Sequence, residues 1–209
     1  MTGLGQSRRF DEWVFVFQHA RRPPFHFLGF YLSNVGDEAD FGAVGTNRIS
    51  KVILIGPVVP LMVQTADNPN GVPMSVFDGI RQGTAQNRSE FLKQIAVSVY
   101  GFNRPDAKIS QGLVDSLWSA GMMTAINAAY DCVKAFSEKD FTEDLKRFDV
   151  PTLFIHGDDD QIVPLDISSK KAAKLVPSAT LKVYQGAPHG LPQTMVDEVN
   201  ADILAFIES

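Results

Sequence analysis

Four short stretches of the chain have the apolar pattern of β-strands. Residues 51–55 and 152–155 are apolar almost throughout, which is typical of parallel strands covered on both faces. Residues 180–184 alternate between apolar and polar side chains, which indicates a strand with one less buried face. Residues 25–28 form a shorter apolar run that ends at a glycine. We therefore predict a mostly parallel sheet with strands at 25–28, 51–55, 152–155 and 180–184.

Helical periodicity dominates the chain between the second and third of these runs. Residues 57–149 contain turn residues but no strand pattern, and we predict that they form a helical cap insert over the C-terminal edge of the sheet. Two further helices are predicted at 166–176 and 195–207. Within the insert, apolar side chains recur at spacings of three and four and predict one helical stripe: Leu113, Leu117, Trp118, Met122, Ala125, Ile126, Ala129, Val133 and Phe136.

The order of these elements predicts a single α/β domain. A strand, a helix and a strand follow one another between residues 152 and 184, as in a β-α-β unit. A length of 209 residues with 44% hydrophobic content fits one domain with a sizeable core. We expect residues 1–209 to form that domain, with chemistry at the carboxyl ends of its strands.

Two polar groups follow the last two predicted strands. The run at 152–155 leads into an acidic triplet that ends at Asp160, and the run at 180–184 leads into a loop that holds His189. A histidine that acts as a general base needs a carboxylate to fix its tautomer. In chain order these residues match the second and third members of a Ser…Asp…His triad. An acidic turn or a loop histidine alone is also common on solvated surfaces, so the prediction of a triad depends on finding both after adjacent strands.

The composition narrows the function classes further. A net charge of −5, without basic runs longer than two residues, argues against a nucleic-acid partner. The single cysteine, Cys132, excludes an internal disulfide and provides no metal cluster, which fits a reducing compartment. Because no apolar stretch is long enough to span a membrane and no signal-peptide pattern is present, we expect a cytoplasmic protein without a membrane partner.

Five motifs connect the chain to a known family. They occupy residues 67–73, 102–105, 140–145, 156–164 and 187–190, and they read Asp-Asn-Pro-Asn-Gly-Val-Pro, Phe-Asn-Arg-Pro, Asp-Phe-Thr-Glu-Asp-Leu, His-Gly-Asp-Asp-Asp-Gln-Ile-Val-Pro and Ala-Pro-His-Gly. With these motifs, the sequence from Gly45 to Ile207 resembles the bacterial cofactor-free haloperoxidases, also described as arylesterases or perhydrolases, of the α/β-hydrolase fold.

The resemblance implies a function and two site residues. It identifies Asp160 as the triad acid and His189 as the base. It implies a small-molecule substrate, a carboxylic ester or acid, whose acyl group passes to a serine. With hydrogen peroxide as the acyl acceptor, it also implies peracid formation and secondary halide oxidation. It implies no metal, haem, flavin or other cofactor.

The first 44 residues depart from the family pattern. Family members carry Gly-His-Ser-x-Gly-Gly-Gly at the nucleophile, and an ungapped alignment back to Gly29 places Phe30 at the His and Tyr31 at the serine. Ser33 is near, but Tyr31 and Val35 flank it where a tight turn needs small residues. The family's first strands also lack a counterpart, which predicts an exposed sheet edge and a homo-oligomer.

Three functional interpretations remain open at this point. The chain is a hydrolase of small carboxylic or aryl esters, or it is catalytically inactive and serves as a binding or assembly module. In a third interpretation, Tyr31 or Ser33 acts as the nucleophile. The insert adds three candidate substrate-binding residues, Trp118, Met122 and Met123, although an apolar helical stripe more often belongs to a core.

Overall fold

The computed structural model describes residues 51–209, and in this part of the chain three strands form a parallel sheet. Its order is β1 (Val52–Ile55), β2 (Thr152–Gly157) and β3 (Ala179–Tyr184). Val52 aligns with Thr152, and Thr152 aligns with Ala179. The predicted strands at 51–55, 152–155 and 180–184 are therefore confirmed as neighbours. The prediction at 25–28 lies outside the described residues.

Seven helices accompany these strands between residues 51 and 209. They are α1 (Met74–Val99), α2 (Gln111–Met123), α3 (Ile126–Glu138), α4 (Thr142–Leu145), α5 (Ser169–Leu175), α6 (Leu191–Thr194) and α7 (Val196–Glu208). The first four lie between β1 and β2, so the regular structure of segment 57–149 is helical, apart from an isolated bridge between Val63 and Val72. The helix predicted at 166–176 begins later than expected, at Ser169.

The predicted single stripe from Leu113 to Phe136 is wrong, because the structure divides it between two helices. Thr124 and Ala125 have extended backbones with ψ values of 141° and 136°, so α2 ends before them and α3 begins after them. Ile126, a member of the stripe, is 52% exposed. Proline is absent from the break, and the nearest glycine, Gly121, lies within the last turn of α2, so the local sequence signal for the break is weak.

Both faces of the sheet are covered, which explains the continuous apolar runs. On one face, Leu54 and Phe154 belong to a buried cluster that includes residues of α4 and α5. On the other face, Ile53 and Ile155 pack with residues of α6 and α7. Since neither face of β1 or β2 meets solvent, apolar side chains are favoured at every position of these strands. This rigid centre positions the loops at the carboxyl ends of β2 and β3.

Candidate active site

Asp160 lies in the turn after β2, and its side chain is fully buried. Its Oδ1 accepts hydrogen bonds from the backbone N–H groups of Ile162, at 2.9 Å, and Val163, at 2.8 Å. The turn thus folds around its own carboxylate. These two bonds hold Oδ1 within the turn and leave Oδ2 on the side of the loop after β3.

His189 lies in that loop and meets the carboxylate. Its Nδ1 is 2.7 Å from Asp160 Oδ2, and its side chain is 13% exposed. Because an ionised carboxylate only accepts hydrogen bonds, Nδ1 carries the proton of the neutral ring. The lone pair is therefore on Nε2, which makes Nε2 the basic nitrogen. The predicted contact between Asp160 and His189 is confirmed, and their catalytic roles stay a prediction.

Burial and charge act in opposite directions on Asp160. Burial, the largest influence, raises the pKa of a carboxyl group because it disfavours the charged form. The charge of His189 and hydrogen bonds from His156 and His189 oppose it, and together they hold the pKa of Asp160 well below its ordinary value of 3.8. The site therefore keeps a charged carboxylate beside the imidazole at neutral pH.

The two loops approach each other closely because glycines stand at the contacts. A Cβ at Gly157, the last residue of β2, would lie 2.1 Å from the backbone oxygen of Ala187. Gly56 follows β1 with φ +56°, and a Cβ there would lie 3.1 Å from the His189 ring. A backbone hydrogen bond from Asp159 N to Ala187 O, at 3.3 Å, also joins the loop of Asp160 to the loop of His189. Small residues at these contacts let the imidazole reach the carboxylate.

The end of α1, the first helix of the insert, and the turn after it contact both loops. The carbonyl of Val99, the last residue of α1, accepts a hydrogen bond from Gly190 N at 2.7 Å. In the turn that follows, the Arg104 guanidinium forms an ion pair with the Asp159 carboxylate and donates to its backbone oxygen at 2.7 Å. One segment after α1 thus contacts the neighbours of both Asp160 and His189.

A second histidine contacts Asp160, and sequence reasoning assigned it no role. His156 lies in β2 and is fully buried. Its Nε2 is 2.8 Å from Val163 O and 3.2 Å from Asp160 Oδ2, and its Nδ1 is 2.7 Å from Ser169 Oγ. The sequence signal that could have identified His156 is its position near the end of an apolar, buried strand. A buried polar group needs hydrogen-bond partners, so a histidine there indicates a polar contact in the core.

The other predicted site residues are placed as follows. Trp118 Nε1 donates to Ser89 Oγ of α1 at 2.9 Å, the Met122 carbonyl accepts from Arg88 at 3.4 Å, and Met123 is 80% exposed. The contacts of Trp118 and Met122 therefore join α2 to α1. Tyr31 and Ser33 lie outside the described residues.

Three further observations concern residues 51–209. Burial, followed by the charge of Asp131, raises the pKa of the Cys132 thiol, which disfavours the nucleophilic thiolate. Within this same range, no three His, Cys, Asp or Glu side chains are grouped to hold a metal ion. None of its helices has the length and apolarity needed to cross a bilayer.

Comparison with known proteins identifies the family. The sequence profile of the alpha/beta hydrolase fold matches residues 39–192. The chain belongs to the alpha/beta hydrolase fold family. The match spans β1, the helical insert, the turn of Asp160 and the loop of His189, so the paired side chains belong to the hydrolase part of the chain.

Named relatives of this alpha/beta hydrolase include peroxidases and an esterase. It is 54% identical over 166 residues to a non-heme haloperoxidase of Rhodococcus erythropolis, covering 79% of this chain and 61% of the relative. It is 49% identical over 162 residues to a bifunctional esterase/perhydrolase of Acinetobacter calcoaceticus, covering 77% and 59%. The crystal structure of a bromoperoxidase from Bacillus anthracis matches with a TM-score of 0.80 at 30% identity, covering 87% of this chain and 66% of that one. The chain thus spans about three fifths of the length of the first two relatives.

Proposed function

We propose that this alpha/beta hydrolase carries the acid and the base of an enzyme that hydrolyses small carboxylic esters. The observation that carries the proposal is the 2.7 Å contact between His189 Nδ1 and Asp160 Oδ2 at the carboxyl ends of adjacent strands. This arrangement suits a general base whose tautomer is fixed by a buried carboxylate. The names of the relatives, which include an esterase/perhydrolase and haloperoxidases, support esters as the substrate class.

In this proposal, His189 Nε2 removes a proton from a nucleophilic serine as its oxygen attacks the ester carbonyl. Asp160 stabilises the imidazolium that forms, and His189 returns the proton to the leaving alcohol or phenol. Water then cleaves the acyl-enzyme to a carboxylic acid. If hydrogen peroxide attacks instead, the acyl group leaves as a peracid, and the peracid oxidises halide in solution. The steps on the protein are acyl transfers, and the peracid itself oxidises the halide as it is reduced to the carboxylic acid, so the proposal includes no cofactor.

We further propose that the helical insert contributes to a substrate pocket. Trp118, Met122 and Met123 are proposed to contact the apolar part of the ester. Met123 is 80% exposed, which leaves its flexible side chain available to a ligand. In a protein whose residues 1–44 have been exchanged for those of an intact relative, substitution of Met122 or Met123 by alanine is expected to raise KM and leave kcat unchanged, because a contact made equally in the ground state and transition state affects binding alone.

A specific observation favours a second candidate function. The ungapped alignment places Tyr31 where the family has its serine, so the base lacks its usual partner in the sequence as it stands. In this second proposal the chain is inactive and serves as a binding or assembly module. A third proposal, with Tyr31 or Ser33 as the nucleophile, requires a tight strand-to-helix turn that the neighbouring residues disfavour.

Replacing residues 1–44 tests the first proposal. We expect the unaltered chain to hydrolyse phenyl acetate at the background rate, because loss of a triad member costs on the order of a million-fold in rate. Exchange for the corresponding segment of an intact relative, with Gly-His-Ser-x-Gly, is expected to restore turnover that a serine-directed phosphonate abolishes. A folded exchange product without turnover would favour the binding module. Phosphonate-sensitive turnover by the unaltered chain, with the label on Ser33, would establish the third proposal.

A further inference from the structure

The two ring nitrogens of His156 have partners that define its protonation. Nε2 faces two oxygens, the Val163 carbonyl at 2.8 Å and Asp160 Oδ2 at 3.2 Å. A carbonyl and an ionised carboxylate only accept hydrogen bonds, so Nε2 must carry a proton. Nδ1 lies 2.7 Å from Ser169 Oγ, and a serine hydroxyl can donate to an unprotonated nitrogen. The neutral Nε2–H tautomer therefore satisfies every polar atom of this buried ring.

The Asp160 carboxylate is surrounded by donors, and His156 supplies one of them. Oδ1 accepts from two backbone N–H groups of its own turn. Oδ2 lies between two imidazoles, with His189 Nδ1 at 2.7 Å and His156 Nε2 at 3.2 Å. Because a carboxylate has about four lone-pair positions, these contacts occupy it fully. Removal of His156 would leave Oδ2 with a vacant position and more rotational freedom.

We propose that His156, held by Ser169, is a positioning residue for Asp160 that keeps Oδ2 directed at His189 Nδ1. The ring acts from β2, which places it behind the carboxylate, while His189 approaches from the loop after β3. Ser169, the first residue of α5, is itself fully buried and contacts the opposite edge of the ring. A continuous chain of polar contacts thus runs from Ser169 through His156 and Asp160 to His189.

His156 also contacts the far end of the acid turn. His156 Nε2 contacts the carbonyl oxygen of Val163. The backbone N–H of Val163 in turn donates a hydrogen bond to Asp160 Oδ1. The ring therefore holds the carboxylate and the backbone that orients it. An apolar side chain could fill the same volume in the core, but it could not donate a hydrogen bond to the Val163 carbonyl or to Asp160 Oδ2. A packing role alone would make leucine an adequate replacement, whereas a positioning role requires a donor at the place of Nε2.

The inference rests on the proposed roles of Asp160 and His189, and its test reads the imidazole protons without requiring turnover. The chain has four histidines, so the ring signals in a histidine-labelled sample can be assigned by single substitutions. In long-range ¹H–¹⁵N spectra, we expect the Nε2–H tautomer for His156 and the Nδ1–H tautomer for His189. We also expect a far-downfield Nδ1–H proton for His189, as a hydrogen bond to a charged carboxylate produces.

Two substitutions separate positioning from packing. His156→Leu is expected to abolish the downfield His189 proton, and His156→Gln, whose side-chain amide can donate near the place of Nε2–H, is expected to retain it. A folded His156→Leu protein with an unchanged His189 signal would overturn the proposal.

If His156→Leu does not fold, Ser169→Ala decides the question, because it should give a mixture of His156 tautomers and a weakened His189 signal. Unchanged spectra in Ser169→Ala, or an Nδ1–H tautomer for His156 in the unaltered protein, would also overturn it.

These outcomes are independent of the ester assay. A chain without esterase activity still reports its imidazole protons, so failure of the proposed function leaves this test readable. Conversely, if the His189 signal proves insensitive to His156, turnover after the exchange of residues 1–44 would still support Asp160 and His189 as acid and base.

Discussion

Asp160 shows how a buried charge is stabilised at this site. Removing a carboxylate from water is costly unless donors replace its hydration. Here two backbone N–H groups contact Oδ1, and the rings of His156 and His189 contact Oδ2. The carboxylate is therefore satisfied by residues of its own turn, of β2 and of the loop after β3, so its charge also joins these three segments.

The lowered pKa of Asp160 predicts a defined loss of stability in acid. Because its folded-state pKa lies below the ordinary value of 3.8, the stabilising contribution is fully present above that value. Below about pH 3.8 the unfolded chain takes up the proton first, and the contribution decreases as the pH falls toward the folded-state pKa. We expect roughly 2 to 3 kcal/mol to be lost in this way.

Urea unfolding at several pH values between 5 and 2 tests this expectation. Asp160→Asn should have a lower unfolding free energy at pH 5 and a flatter dependence on pH than the unaltered chain. Asp166→Asn is a suitable control, because the side chain of Asp166 is 79% exposed. Parallel pH curves for the unaltered chain and Asp160→Asn would show that the carboxylate does not contribute as described.

Gly157 gives a second prediction for a single residue. Gly157→Ala should lower the unfolding free energy by roughly 2 to 3 kcal/mol, because its Cβ would lie 2.1 Å from a backbone oxygen that cannot rotate away. Gly79→Ala provides the matched control. Gly79 is exposed within α1, with no other atoms near its Cβ position, so alanine should stabilise by about 0.5 to 1 kcal/mol. Equal effects of the two substitutions would contradict the close approach.

Among the elements, the segment after α1 has the clearest effect on the site. Arg104 contacts both the side chain and the backbone of Asp159, and Asn103 donates to Gln161 at 2.8 Å. These contacts lie on either side of Asp160. The helical insert therefore stabilises the acid turn from outside the sheet, while His156 contacts it from within.

Arg104→Gln should loosen the acid turn without unfolding the protein. We expect amide hydrogen exchange at Ile162 and Val163 to accelerate about tenfold, equivalent to roughly 1.4 kcal/mol of local stability. Arg81→Gln serves as a control, because Arg81 joins α1 to α3 through Glu138, at 2.6 Å. Equal exchange rates at Val163 in both variants would exclude a specific effect of Arg104 on the turn.

The sequence predicted the strands and the pairing better than it predicted the helices. Buried parallel strands leave a continuous apolar run, and residues that follow adjacent strands must share an edge, which is why the contact of Asp160 with His189 could be inferred. The break at Thr124 could not be inferred, because both sides of it favour helix and tertiary packing decides the boundary. The contact of His156 with Ser169 depends on how α5 packs against β2, and the pattern of apolar residues in the sequence does not reveal that packing.

For the molecule as a whole, the homo-oligomer expected from the sequence stays a prediction. Large apolar side chains are exposed on several helices and loops, among them Met123 at 80%, Ile109 at 62% and Leu204 at 55%. Surfaces of this kind favour association when they are contiguous. We expect light scattering to give a mass above that of one chain. A monomer that persists at high protein concentration would contradict this prediction.

The central claim is that Asp160 and His189 are the acid and the base of an ester hydrolase. Its most direct test is the rate of phenyl acetate hydrolysis after residues 1–44 have been exchanged for a segment that carries the family serine. In that protein, His189→Ala should lower kcat by on the order of a million-fold and Asp160→Asn by roughly ten-thousand-fold. Asp166→Asn should leave it unchanged. Turnover that persists in His189→Ala would contradict the claim.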